Sequence, residues 1–169
     1  MYLIDLFAYS IHLPITAFVI ITLLLALVIS CIAVILLKNI VSKYKNTENK
    51  YLKGFVLLIS YFTIFNFMYI ENMYFVECIV MAASLLFHII SADTLVSRKK
   101  HYLLKSIVSS ILATFMYQGF SGFFLTIIFL FTLLKNEHNI KQIIKDLILG
   151  SVALTSRNIA QLVFCACGW

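Results

Sequence analysis

Long uncharged runs constrain the fold of this sequence most, because almost all of its positive charge lies between them. Twelve of the 13 lysine and arginine residues fall in three short segments, residues 38–53, 98–105 and 135–145. The runs between them approach or exceed the length of about 20 apolar residues that a membrane helix needs. Hydrophobic residues make up 63% of the chain and charged residues 12%, whereas a soluble domain has about one half and one quarter. The sequence therefore predicts an integral membrane protein.

We predict an all-α, polytopic transmembrane helix bundle of about six membrane segments, forming a single domain over residues 1–169. Pro14 suits the first turn of the first helix, where its missing N–H costs least. The predicted spans cover residues 14–37, 54–70, 73–92, a hairpin over 102–134, and 147–167.

The distribution of positive charge predicts the orientation of these spans. Segments rich in lysine and arginine stay on the cytoplasmic side of a membrane, so the N-terminus is expected outside. The stretch between the second and third basic segments must then cross an even number of times. We expect a tight hairpin with its tip at residues 117–122, where Gly119 and Gly122 weaken a helix. Its arms either cross the membrane fully or form a re-entrant pair.

The net charge of +6 does not indicate a nucleic-acid partner, because the basic residues alternate with apolar runs and suit anionic lipid headgroups. The four cysteines have neither zinc-site nor disulfide-framework spacing. We therefore predict no metal and no cofactor, with membrane lipid as the first partner. The pattern makes no prediction of oligomeric state.

Polar side chains gather at one predicted outer face. This orientation brings together Glu71, Asn72, Glu77, Tyr117 and Gln118. Each also has a structural interpretation: Glu71 as a solvated loop acid, Asn72 as a helix cap, and Tyr117 as an interfacial aromatic. Glu77 is expected about four residues inside the third span, where a carboxylate is expensive unless it faces protein or water.

Two further polar patterns favour buried helix faces. Glu77, Ser84, His88 and Ser91 share one face of the third span, and small residues recur every fourth position in the next stretch: Ser106, Ser110, Thr114, Gln118 and Gly122. Small residues at that spacing favour close packing of membrane helices, and His88 is expected to be an interior histidine. Arg157 lies within the last apolar run. It either binds a lipid phosphate or separates two shorter pieces.

The order of these features resembles the bacterial type II O-antigen glucosyltransferase family, the serotype-converting, Gtr-like membrane enzymes. The pieces that carry the resemblance are "FVECIVM" at residues 75–81 and "YQG" at residues 117–119, with the aromatic-rich run that follows. The resemblance covers roughly residues 14–145. Members of the family continue beyond these segments and carry an acidic loop ahead of the first matched span, where this chain has only Asp5. The sequence is therefore expected to be a partial copy.

The resemblance implies a fragment of a glycosyltransferase C-type fold in the bacterial cytoplasmic membrane. It implies transfer of a sugar from a polyprenyl-phosphate donor to a cell-surface glycan acceptor on the extracytoplasmic face. Such a reaction needs a carboxylate base and donors or cations that stabilise the departing phosphate. Glu77 and Glu71 are the candidate catalytic acids, and the candidate substrate-binding residues are Asn72, Tyr117, Gln118 and Arg157.

Two other functions remain open from the sequence. Ionisable residues inside a membrane also mark the pathways of transporters and flippase-like proteins. Many transporters show two related halves with interrupted helices in corresponding positions, whereas this sequence shows one interruption, at residues 117–122. An inactive remnant held together by helix packing is the third interpretation.

Overall fold

The computed structural model describes residues 15–45, 49–66, 77–98, 100–135 and 140–166. Within these ranges all regular secondary structure is helical and there is no strand, which confirms the all-α prediction. The helices are α1 (Ile15–Tyr44), α2 (Lys50–Ile64), α3 (Cys78–Ser97), α4 (Tyr102–Met116), α5 (Ser121–Lys135) and α6 (Ile140–Ala166). A 3₁₀ turn, Gln118–Phe120, joins α4 to α5.

Two of the described helices are long and apolar enough to cross a membrane. They contain the candidate spans Ala17–Tyr44 and Cys78–Ser97. The three helices α2, α4 and α5 have 15 residues each, about 22 Å at 1.5 Å per residue. The described residues therefore support a helical protein with two membrane-length helices, rather than the predicted bundle of six spans.

The outward faces of α1 and α2 carry large apolar side chains. Ile20, Leu24 and Val28 of α1 are more than half exposed, as are Phe55 and Phe62 of α2. A continuous apolar surface of this kind is unfavourable in water and marks contact with membrane or protein. These faces are suited to contact with lipid, in agreement with the composition.

Helix α3 is the centre of the core. Its buried side chains pack with those of α1 and α5, and its other face packs against α4. The fully buried apolar residues include Leu85, Ile89 and Val96 of α3 and Phe124 and Phe131 of α5, each at most 2% exposed. Each such side chain contributes about 1.5–3 kcal/mol relative to an exposed position in water; in a membrane the gain comes mainly from close packing.

Side-chain contacts define the two ends of the helix bundle. Thr22 of α1 contacts Cys78 at the start of α3, and Tyr44 at the end of α1 contacts Asp93 near the end of α3. Helices α1 and α3 therefore run in the same direction. We call the end at Tyr44 and Asp93 the basic end, because the residues from all three basic segments of the sequence lie near it.

The remaining helices alternate in direction. Arg98, just after α3, pairs with Asp146 in the first half of α6, and Lys135 at the end of α5 donates to the carbonyl of Val96. The opposite end, formed by the start of α3 and the Gln118–Phe120 turn, is called the turn end. The alternation is the arrangement that the charge pattern requires.

Several helix boundaries differ from the predicted spans. α1 continues past residue 37 to Tyr44, since Leu37 and Ile40 maintain the buried face. α2 begins at Lys50, where the Asn49 side chain accepts a hydrogen bond from the Tyr51 N–H at 3.0 Å. The predicted residues 67–70 and 73–76 lie outside the described ranges. The break between α4 and α5 falls inside the predicted tip.

The last helix differs most from its prediction. α6 begins at Ile140, seven residues before the predicted span, and continues without interruption to Ala166. The interpretation in which Arg157 separates two shorter pieces is therefore wrong. An arginine has good intrinsic helix propensity, so its charge does not end the helix in which it lies.

Candidate functional site

The predicted site residues are described to different extents. Glu77 and Tyr117 lie within the described residues, whereas Glu71 and Asn72 lie outside them. Gln118 lies in the 3₁₀ turn and Arg157 in α6, but their side chains fall outside what the structure describes. Whether these six residues form one site therefore stays a prediction, and the geometry below concerns Glu77 and Tyr117.

Glu77 lies at the start of α3 rather than inside it. It is the residue immediately before Cys78, with φ −78° and ψ 0°. Its carbonyl accepts hydrogen bonds from the N–H groups of Val80 at 3.0 Å and Met81 at 3.1 Å. Its side chain makes no capping hydrogen bond and is partly exposed. Glu77 is therefore the residue that precedes α3 rather than a residue within that helix. Its carboxylate is not used in capping α3, and its depth in a membrane stays a prediction.

Tyr117 ends α4 and folds back over the turn that follows. Its N–H donates to the Ala113 carbonyl at 2.9 Å, and its ring packs edge-on against Phe120 with centroids 5.1 Å apart. A Cβ atom at Gly119 would lie 2.7 Å from Cζ of the Tyr117 ring. The glycine of "YQG" therefore leaves room for the aromatic ring two residues earlier.

Ser84 joins α3 to the end of α4. Its hydroxyl lies 2.7 Å from the Ala113 carbonyl oxygen and 3.1 Å from that of Tyr117. The Tyr117 carbonyl is among the terminal carbonyls that lack a partner within the helix, whereas the Ala113 carbonyl also accepts the Tyr117 N–H. The buried serine thereby holds the turn against α3, two turns along the helix from Glu77.

The polar stripe on α3 faces protein, as its spacing predicts. Ser91 and Ser106 exchange hydrogen bonds: Ser91 Oγ lies 2.8 Å from the Ser106 carbonyl, and Ser106 Oγ lies 3.1 Å from the Ser91 carbonyl. Ser84, Ser91, Ser106 and Ser110 are fully buried. Small hydroxyl side chains of this kind let two helices approach closely, so packing explains the stripe.

His88 is an interior residue. Its ring is fully buried, lies edge-on to Phe124 with centroids 5.5 Å apart, and places Nδ1 2.8 Å from the Ser84 carbonyl oxygen. A carbonyl oxygen only accepts, so this contact assigns the proton to Nδ1. The expectation of an interior histidine agrees with this arrangement.

A cluster of charged and polar groups at the basic end was missed from the sequence. Arg98 forms an ion pair with Asp146, whose side chain is only 1% exposed, against 30% for Arg98. The Gln142 amide is best oriented with its oxygen toward Arg98, where it accepts from Nη1 at 2.8 Å. This cluster joins the end of α3 to α6.

Two further contacts extend this cluster to α1 and α5. The Tyr44 hydroxyl donates to Asp93 at 2.8 Å, and Lys135 donates to the Val96 carbonyl. The available signal was the presence of Asp93 and Asp146 beside lysine-rich segments. Their partners are 49 and 48 residues away in sequence, a pairing that spacing does not reveal. The contacts of this cluster connect α1, α3, α5 and α6 at the basic end.

The described residues contain no group of three histidine, cysteine or acidic side chains that could hold a metal ion. At the turn end the described groups are the Glu77 carboxylate, hydroxyl groups and the turn itself. At the basic end they are the paired charges of the Arg98 and Asp146 cluster.

No model of a protein family, no curated protein and no solved structure matches the chain. The described chain is all-α, and two of its helices are long and apolar enough to cross a membrane.

Proposed function

We propose that the chain is a membrane glucosyltransferase-like protein, which transfers a sugar from a polyprenyl-phosphate donor to a cell-surface glycan on the extracytoplasmic face. The observation that carries the proposal is the contact of Ser84 with the carbonyl of Tyr117. It holds "YQG", one of the two pieces that resemble the glucosyltransferase family, against α3, which begins within the other piece.

The two pieces are separated by about 40 residues in the sequence. Their convergence at the same end follows from the antiparallel packing of α3 and α4, and the Ser84 contact fixes which residues meet there. Glu77 begins α3 at this end, and the Tyr117 ring and the turn lie at the same end. A site assembled from separate segments at one end of a helical scaffold is typical of an active site.

The residues at the turn end suit particular steps of glycosyl transfer. The Glu77 carboxylate is free of capping and partly exposed, so it is available to accept the proton of an acceptor hydroxyl. The hydroxyl of Tyr117 is a donor for a sugar or phosphate oxygen. We assign Glu71 as the alternative base.

The remaining assignments come from the resemblance and from charge. Asn72 and Gln118 would supply amide hydrogen bonds to the sugar. Arg157 is the one basic residue outside the three basic segments, so it is the candidate counter-ion for the donor phosphate. In this proposal the protein is a multi-pass protein of the bacterial cytoplasmic membrane, with the turn end facing outward.

A transfer assay with membranes tests this function. Membranes from cells that express the full open reading frame are given radiolabelled polyprenyl-phosphate glucose, and label in the surface glycan is measured. Glu77→Gln removes the base while keeping its size, and we expect a loss of 10²–10⁴-fold, the usual contribution of a general base. Glu137→Gln is the matched control, because Glu137 belongs to the third basic segment.

Wild-type transfer by Glu77→Gln would exclude that residue as the base, and loss in Glu71→Gln alone would move the role to Glu71. Membranes that contain the protein but transfer no sugar from any polyprenyl-phosphate donor would overturn the proposal. That result would favour a transporter-like protein or an inactive one.

A further inference from the structure

A shallow, open groove lies between α3 and α4, away from both the turn end and the charge cluster. Its volume is about 310 Å³, and its lining is mainly apolar, formed by Ile90, Thr94, Leu104, Lys105, Val108 and Ser109. Leu104 is 64% exposed and Val108 49%, so the groove opens on the outer surface of the two helices.

The chemistry of the groove changes along its length. Thr94 precedes Arg98 by one helical turn and Lys105 follows His101 by one turn, so both lie near the basic end. Ile90 and Val108 lie about one further turn, or roughly 5 Å, away from that end. The end of the groove near the basic end therefore carries Lys105 and Thr94 with Leu104, and the end toward the middle of the helices carries Ile90 and Val108 with Ser109.

Lys105 is the one charged residue in the lining. No carboxylate among the described residues pairs with it, whereas the neighbouring Arg98 pairs with Asp146. The turn before α4 adds Lys100 and His101, and both are exposed. The mouth of the groove therefore attracts an anion, and its inner wall accepts hydrocarbon.

We propose that this groove binds one anionic phospholipid from the leaflet at the basic end. The Lys105 ammonium pairs with the lipid phosphate, for which lysine is an effective point-charge partner. The upper part of one acyl chain lies on Ile90, Leu104 and Val108. The site requires that the protein resides in a membrane, but it is independent of glycosyl transfer, because a sugar donor would bind at the turn end.

Lipid retention measures this site directly. The full-length protein is reconstituted in mixed phosphatidylglycerol and phosphatidylcholine vesicles and then extracted in mild detergent, and the bound lipids are identified by native mass spectrometry. We expect phosphatidylglycerol to be retained in preference to phosphatidylcholine. Because a lysine near an anionic surface contributes about 1 kcal/mol, Lys105→Gln should lower phosphatidylglycerol retention about fivefold, and Lys105→Arg should preserve it.

Matched variants distinguish lipid binding in the groove from a general attraction of anionic lipid to the basic end. Lys141→Gln removes an exposed lysine of α6 that does not line the groove, and it should leave retention unchanged. Val108→Trp fills the groove and should remove retention of either lipid. Leu112→Trp, on the next turn of α4 and also exposed, should not. Circular dichroism verifies that each variant keeps its helical content.

Either of two retention results would overturn the proposal. Equal retention of the two lipids by the wild-type protein would show that phosphate charge is not recognised. Equal losses in Lys105→Gln and Lys141→Gln would show a diffuse attraction without a site. If a variant loses helical content, the wild-type protein is tested instead with spin-labelled phosphatidylglycerol, which broadens the NMR signals of residues near it. We expect the broadening to centre on Val108. Broadening spread evenly over α3 and α4 would contradict the site.

Discussion

Arg98 and Asp146 form an ion pair, and replacing either residue alone should lower the free energy of unfolding. We expect the loss to be larger when Arg98 is replaced than when Asp146 is replaced. The Asp146 side chain is 1% exposed and that of Arg98 is 30% exposed. Removing one partner of a buried pair costs about 3–5 kcal/mol, because the other charge stays buried without compensation. Arg98→Met leaves the more deeply buried charge and should reach this range.

Asp146→Leu leaves an arginine that still reaches solvent and the Gln142 amide oxygen. We therefore expect a smaller loss, about 2 kcal/mol, below the range for a fully buried charge. The double variant Arg98→Met, Asp146→Leu replaces the pair by apolar side chains of similar volume, a change that is often close to neutral. With single losses of about 3–5 and about 2 kcal/mol and a nearly neutral double variant, the coupling free energy between the two sites should be about 5–7 kcal/mol, above the usual range of about 0.5–3 kcal/mol for residues in contact.

Unfolding of the four proteins by sodium dodecyl sulfate in mixed micelles, followed by circular dichroism, gives the free energies of unfolding. Lys145→Met is the control, because Lys145 is an exposed neighbour of Asp146 and should change the free energy by no more than about 0.5 kcal/mol. The reasoning fails if the double variant loses the sum of the two single losses. It also fails if Arg98→Met behaves like Lys145→Met.

Two further predictions concern helix packing and orientation. A Cβ atom at Gly150 would lie 2.8 Å from Cδ1 of Ile128, the end of a flexible but fully buried side chain. Gly150→Ala should therefore cost about 1 kcal/mol, the lower end of the range for overpacking. Ile128→Val deletes Cδ1, and in that background Gly150→Ala should raise the free energy of unfolding by up to about 1 kcal/mol through helix propensity. The same titration with sodium dodecyl sulfate measures both variants. An equal loss of stability in the two backgrounds would contradict the contact. In a cysteine-free protein in intact cells, an impermeant thiol reagent should label Gly122→Cys, whose Cβ would meet no atom within 4 Å, and leave Lys141→Cys unlabelled until the membrane is opened. The reverse pattern would refute the proposed orientation.

Short-range patterns in the sequence predicted the features that depend on helix periodicity. The serine and histidine stripe of α3 faces protein because a polar side chain buried in an apolar setting needs partners, and Ser91 and Ser106 supply them to each other. Glycine content located the break after α4. These inferences needed only 3.6-residue spacing and the cost of exposing polar groups to hydrocarbon.

Features that depend on contacts between distant helices could not be predicted from the sequence. The charge pattern correctly indicated a common basic end, but it did not indicate that Arg98 pairs with Asp146. Helix ends were also missed: α1 extends through Lys38 and Lys43, since long lysine side chains can carry their charge to water while their stems cover apolar surface. Glu77 was placed inside a helix because hydrophobicity does not mark where α3 begins.

The length of the α4–α5 hairpin has a consequence for the surrounding lipid. Each arm is about 22 Å long at 15 residues, against a hydrocarbon core of about 30 Å. A hairpin that starts at the headgroups of the basic end therefore stops about 8 Å short of the opposite headgroups if its arms stand upright. Since irregular backbone is not stable in contact with hydrocarbon, the turn must be covered by protein, the bilayer must thin beside it, or water must reach down to it. In the last two cases the path from solvent to Tyr117 is shorter than the thickness of the membrane.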